Sequence, residues 1–135
     1  MNKILSILFF FFVTTSLFAQ SSDATSTIQW NITQVNNINT QQVESVNETF
    51  TTSPQHIVWK DADGVVKFSF DVTGISGTWA DVNQNGMIRF SFEFESQPAF
   101  VDVERAGGKL TIKINLYLNE PPQVYSLTAG SLTVL

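Results

Sequence analysis

The feature that most constrains this chain is alternation of apolar and polar residues with a period of two. Leu110, Ile112, Ile114, Leu116 and Leu118 alternate with Thr111, Lys113 and Asn115. Ile88, Phe90, Phe92 and Phe94 alternate with Arg89, Ser91 and Glu93, and Val66, Phe68, Phe70 and Val72 with Lys67, Ser69 and Asp71. Ile28, Trp30 and Ile32 do the same around Gln29 and Asn31. Successive side chains of a strand point to opposite faces, so each run has one apolar and one wet face. That is the pattern of antiparallel sheet packed on one side only. Shorter strands are expected at residues 57–60, 78–81, 99–103, 124–128 and 132–134.

Turn-forming stretches separate these runs: Asp61-Ala62-Asp63-Gly64, Gly74 to Gly77, Asn85-Gly86, Ala106-Gly107-Gly108 and Asn119-Glu120-Pro121-Pro122. A spacing of about ten residues per strand and turn predicts an all-β domain, a meander of about eight antiparallel strands. Such a meander closes into a small β-barrel or folds into a β-sandwich. Residues 36–52 are ambiguous. Val43, Val46 and Phe50 have helical spacing, and Asn39 with Gln42 can form a capping box, whereas Thr49 to Thr52 favour a strand. The reading places one short helix near residues 39–47, or an irregular loop, that ends in a strand near Phe50.

The first nineteen residues do not fit this pattern. Lys3 is followed by an apolar run from Ile4 to Val13, then by Thr14, Thr15 and Ser16, and by the small residue Ala19. The segment resembles bacterial signal peptides ending in Phe-Ala-Gln, with cleavage expected after Ala19 and export to the periplasm or medium. The apolar run is too short and too interrupted for a membrane helix, which needs about 20 apolar residues. The expected organisation is therefore a signal peptide at 1–19, a flexible polar leader at 20–27 and one all-β domain at 28–135. Without Lys3 the exported part carries six basic and twelve acidic residues, a net charge of −6. That charge disfavours nucleic acid and anionic membrane surfaces as partners. The chain has no cysteine, which removes disulfides, thiolate metal sites and cysteine nucleophiles together.

Candidate chemistry is sparse. Asp81, Asn83 and Asn85 in Asp-Val-Asn-Gln-Asn-Gly match the first half of an EF-hand loop and are weak calcium candidates. The twelfth position of such a loop must supply a bidentate carboxylate. Here it is Phe92, which belongs to an apolar strand row, so Asn85-Gly86 reads as a hairpin turn and no metal is expected. Gly77-Thr78-Trp79 is similar to the Gly-x-Trp of the lipocalins over three residues, but it follows several strands instead of lying on the first. Membership does not follow from it. His56 is the only histidine, no nucleophile elbow is present, and Glu93 with Glu95 reads as a solvated strand face. A hydrolase using His56, Glu93 or Glu95 remains an alternative, as does an outer-membrane β-barrel. Against the barrel, few strands reach the ~9–11 residues a spanning strand needs.

The expectation is an exported, non-catalytic β domain without a cofactor. It binds either a small apolar ligand or an exported protein or glycan partner. A barrel with spare interior volume would hold a ligand among Trp30, Phe68, Phe70, Phe90 and Phe92. A filled domain would instead use outward aromatics, with Trp79, Phe100 and Tyr117 as the partner-binding candidates.

Overall fold

The computed structural model describes residues 23–117 and 122–135. The signal peptide expected at 1–19 and most of the Asn119–Pro122 turn lie outside the described residues. Every regular element among the described residues is a strand. They are β1 (Ile28–Asn37), β2 (Gln42–Thr52), β3 (His56–Lys60), β4 (Val66–Asp71), β5 (Gly74–Ser76), β6 (Gly86–Phe94), β7 (Gln97–Ala106), β8 (Lys109–Leu116) and β9 (Gln123–Val134). No helix among the described residues is long and apolar enough to cross a membrane.

All nine strands form one antiparallel sheet in the order β4-β3-β2-β1-β9-β8-β7-β6-β5, curled into a half-barrel. Chain neighbours pair except for β4 and β5, and β1 pairs with β9 to join the two ends of the meander. The outermost strands of the sheet, β4 and β5, are consecutive in the chain. Between them Val72 N–H donates to Gln55 O on the β3 side, and Thr73 N–H donates to Ser91 O on β6. The chain thus steps from one edge of the sheet to the other within two residues. Beyond that step β4 and β6 meet through side chains. Phe68 lies edge-on to Phe92 with centroids 5.3 Å apart, and Phe70 lies 5.0 Å from Phe92 and 5.5 Å from Phe94.

The inward rows build the core as the alternation predicts: Ile88, Phe90 and Phe92 on β6, Val101 and Val103 on β7, Ile112 and Ile114 on β8. Fully burying one such side chain stabilises by ~1.5–3 kcal/mol. The buried Trp30 Nε1–H donates to the buried Thr52 Oγ1 at 3.0 Å, so neither polar atom is left unpaired. One end of the half-barrel, the base, is filled by the loop 77–85. There Trp79 stacks on Trp30 at 6.1 Å, Val82 is buried, and Arg105 Nε–H donates to Val82 O. The polar stretch read as a flexible leader also takes part. Asp23–Ser26 makes a turn, Ala24 is buried, and its N–H donates to Trp79 O.

Several expectations are corrected. Residues 42–47 continue β2 and are not a helix. Gln42 to Ser45 pair with β1, and Asn39 caps a neighbouring loop instead, donating to Pro122 O and accepting from Val124 N–H. Val43 is exposed on the outer face, whereas Val46 and Phe50 face inward, so the helical spacing joins residues of opposite faces. The inward row Gln42, Glu44, Val46, Glu48 and Phe50 keeps the period of two but is largely polar. Residues 78–81 form loop, not strand. The expected strands at 124–128 and 132–134 are one strand, β9, whose pairing with β1 shifts around Gly130. Asn85-Gly86 is no hairpin turn, since neither residue has a positive φ. Gly86 is glycine for space: a Cβ there would fall within the Trp79 indole, 2.6 Å from Cγ.

The tight β6–β7 turn is Glu95-Ser96, with φ of 48° and 63°, joining Phe94 to its partner Gln97. Each such left-handed residue costs a non-glycine side chain about 1–2 kcal/mol. Replacing Glu95→Asn with Ser96→Gly is therefore expected to raise stability by about 1–2 kcal/mol in urea unfolding, and no gain would mean the turn is unstrained. Gly86→Ala is expected to cost about 3 kcal/mol by overpacking the base. Most of that loss should vanish in a Trp79→Leu background, and an undiminished loss would place the clash elsewhere.

Candidate functional site

The end opposite the base carries no such plug. There β1 ends and β2, β4 and β9 begin, leaving a recess of about 460 Å³ open to solvent. Its apolar wall is Val35, Trp59, Phe68, Phe94, Leu116 and Tyr125. Its polar wall is Asn37, Gln42, Glu44, Lys67 and Gln123. Trp59 and Tyr125 meet edge-on across the mouth with centroids 6.3 Å apart. Val35 and Asn37 reach it because the slip at Thr33 moves the inward row of β1 from even to odd positions. The opposed Glu44 and Gln42 stand beside them, since Val35 pairs with Glu44 and Asn37 with Gln42.

Below the mouth lies a buried charge. Glu48, only 6% exposed, faces inward on β2. Its Oε2 accepts Trp59 Nε1–H at 3.1 Å, and both carboxylate oxygens accept from Lys67 Nζ, at 3.1 and 3.0 Å. Lys67 Nζ also stands 4.1 Å from the centroid of the Trp59 ring. Simple alternation would put Lys67 outside with Ser69 and Asp71. The β3–β4 register shifts, with Trp59 opposite Phe68 but Lys60 opposite Val66, so Lys67 is the extra residue of a bulge and turns to the mouth.

Of the five residues expected around a ligand, Phe68 lines the recess. Trp30, Phe90 and Phe92 are core, and Phe70 is half-buried in the seam between β4 and β6. Of the outward candidates, Trp79 is 3% exposed and belongs to the base. Phe100 and Tyr117 do come together on the outer face, edge-on at 5.8 Å, with Tyr117 45% exposed. Arg89 lies 4.6 Å from the Phe100 ring and grips Asp102 with two hydrogen bonds of 2.7 and 3.0 Å. Asp102 raises the pKa of Arg89 further above its ordinary value, first by hydrogen bonding and then by charge. A raised base loses its contribution only as pH climbs through that value. The guanidinium therefore keeps its charge into the strongly alkaline range. A smaller recess of about 200 Å³ lies beside it, lined by Met87, Asp102, Glu104, Thr111 and Lys113.

The sequence has no nucleophile elbow, yet cross-strand pairing brings a serine to His56. Its Nδ1 lies 3.0 Å from Asp71 Oδ1 and its Nε2 lies 2.8 Å from Ser69 Oγ. This is the connectivity of an acyl-transfer triad, but such chemistry needs a water-poor pocket with oxyanion donors beside the nucleophile. Asp71 is 92% exposed, and Ser69 lines neither recess. The row has the connectivity at a solvent-exposed place. Glu93 and Glu95 do not share a strand row, because Glu95 sits in the turn. Of the calcium candidates, Asp81 Oδ1 accepts Asn83 N–H at 3.0 Å, and Asp81 O accepts Gln84 N–H. The triplet closes a turn around itself.

The residues missed by sequence reasoning are Trp59, Phe94, Leu116, Tyr125, Glu44 and the Glu48–Lys67 pair. A glutamate two residues from Phe50 on the same row was the one available signal, and the helical reading of 39–47 hid it. Lys67→Met leaves the Glu48 carboxylate buried without its cation. With Lys67 part-exposed, the expected loss is about 1–2 kcal/mol in urea unfolding. Adding Glu48→Gln should recover at least half, and no recovery would mean that Lys67 acts through packing alone. Compared with models of known protein families and with curated proteins, the chain matches none.

Proposed function

We propose that this chain is an exported, non-catalytic domain that takes up one small, largely apolar molecule in the mouth of its half-barrel. The observation that carries the reading is the asymmetry of the two ends. The base is filled by Trp79, Val82 and Ala24, whereas the other end keeps an aromatic-lined recess of about 460 Å³. That volume lies within the ~300–1,000 Å³ range of small-molecule pockets. An apolar wall with a few polar groups at the rim is also what such pockets use, the wall for affinity and the rim for orientation. Export rests on the N-terminal segment. The outer face of β6, β7 and β8 carries Arg89, Ser91, Asp102, Glu104, Thr111 and Lys113, which suits water and not lipid.

A second reading places the site on the outer face. It rests on the preformed Arg89–Phe100–Tyr117 cluster, which could meet a protein or a sugar ring. The neutral dye N-phenyl-1-naphthylamine separates the two. Saturable uptake at one dye per chain is expected. Tyr125→Asp, folded by circular dichroism, should weaken it at least about tenfold, because a charge in the recess is desolvated on binding. Phe100→Ala should leave uptake unchanged. Uptake lost in Phe100→Ala and kept in Tyr125→Asp would move the site to the outer face, and no saturable uptake would reject the recess.

A further inference from the structure

The recess has a sign as well as a shape. Two acidic side chains and one basic one approach it: Glu44 and Lys67 in its lining, and Glu48 beneath. Lys67 is spent on Glu48, whose two oxygens both accept from its ammonium. Glu44 has no hydrogen-bond or ion-pair partner among the described residues. The mouth therefore keeps one uncompensated negative charge, within a chain of net charge −5. Its aromatic faces act in the same sense. An aromatic ring is negative over its face and attracts cations, and Trp59 already holds the Lys67 ammonium at 4.1 Å from its centroid.

We infer that the recess selects amphipathic organic cations: an alkyl or aryl body against Trp59, Phe68, Phe94 and Tyr125, with an ammonium group at Glu44. The chain's own lysine shows the same recognition one layer deeper, an ammonium set between a carboxylate and an indole face. Anions meet the opposite field. A carboxylate ligand would find the Lys67 charge already neutralised by Glu48 and would meet the Glu44 carboxylate in the lining. Neutral molecules of the same shape are expected to bind between these limits.

This inference rests on the recess being the binding site, so its test uses three probes of one shape. Octylammonium, octanol and octanoate are titrated against the purified protein, each displacing N-phenyl-1-naphthylamine. Octylammonium is expected to bind about five- to tenfold more tightly than octanol at low salt, with octanoate weakest; the gap should narrow as salt rises. Glu44→Gln should bring octylammonium within about twofold of octanol. Glu104→Gln removes the same charge from the outer face and should leave the preference intact. Octanol binding as tightly as octylammonium, or octanoate binding best, overturns the cation reading and leaves the recess standing. A preference that survives Glu44→Gln but falls in Glu104→Gln also overturns it, as an effect of surface charge. Failure of all three probes to bind removes the recess and the inference together.

Discussion

Val72 and Thr73 give their N–H groups to opposite edges of one sheet, to Gln55 O and to Ser91 O, and the shape of the molecule follows from that step. Because β4 and β5 are consecutive, the two ends of the sheet are held together covalently before any side chain packs. At the step the edges are hydrogen-bonded. Away from it β4 stays with β3 while β6 stays with β7, so the seam must be closed by side chains or left open. Phe68, Phe70, Phe92 and Phe94 close its lower part. Where Phe68 and Phe94 run out, the seam becomes part of the recess. The opening is thus a consequence of topology, and it lies at the end away from the covalent link.

The remaining strands adapt to this closure by local slips. A single extra residue in a strand reverses which side chains face inward beyond it. The slip at Thr33 brings Val35 and Asn37 inward after Trp30 and Ile32, and the bulge in β4 turns Lys67 from the outer row to the mouth. Each slip therefore adds a polar or smaller side chain to the upper half of the barrel. The lower half keeps unbroken rows of Ile, Val and Phe.

This division explains what could be read from residues alone. The strands with unbroken alternation, β6 and β8 above all, and the all-β antiparallel class followed from period two. What could not be read was whatever depended on a slip or on long-range approach. β2 looked helical because its inward row is polar at Gln42, Glu44 and Glu48 while Val43 lies on the outer face. Trp79 looked like a strand residue with an outward face, whereas it lies flat on Trp30 in a loop that only the assembled base can hold. Gly86 signalled a turn by its Asn-Gly context, but what it provides is room for that indole. Among the aromatic candidates only Phe68 reached the recess. Inward rows near the middle of a small barrel are consumed in filling it, so ligand space survives only at an end. Glu48 and Lys67 were invisible as a pair, since they are nineteen residues apart and meet only through the bulge.

The position of that pair bears on what the mouth is for. A buried ion pair is a weak source of stability, because desolvating both charges offsets most of their attraction, and apolar residues of similar volume serve as well or better. The base of this half-barrel takes the apolar solution: Trp30, Trp79, Val82 and Ala24 fill it. The wall under the recess takes the ionic one, with Glu48 held by Trp59 and Lys67. Had packing alone been required at both ends, the same apolar residue types would serve at both. An ion pair beneath an open recess does what a further phenylalanine could not. It orients the Trp59 ring by its Nε1–H and occupies the ammonium that lines the recess. Glu44 is thereby left as the charge that an incoming molecule meets.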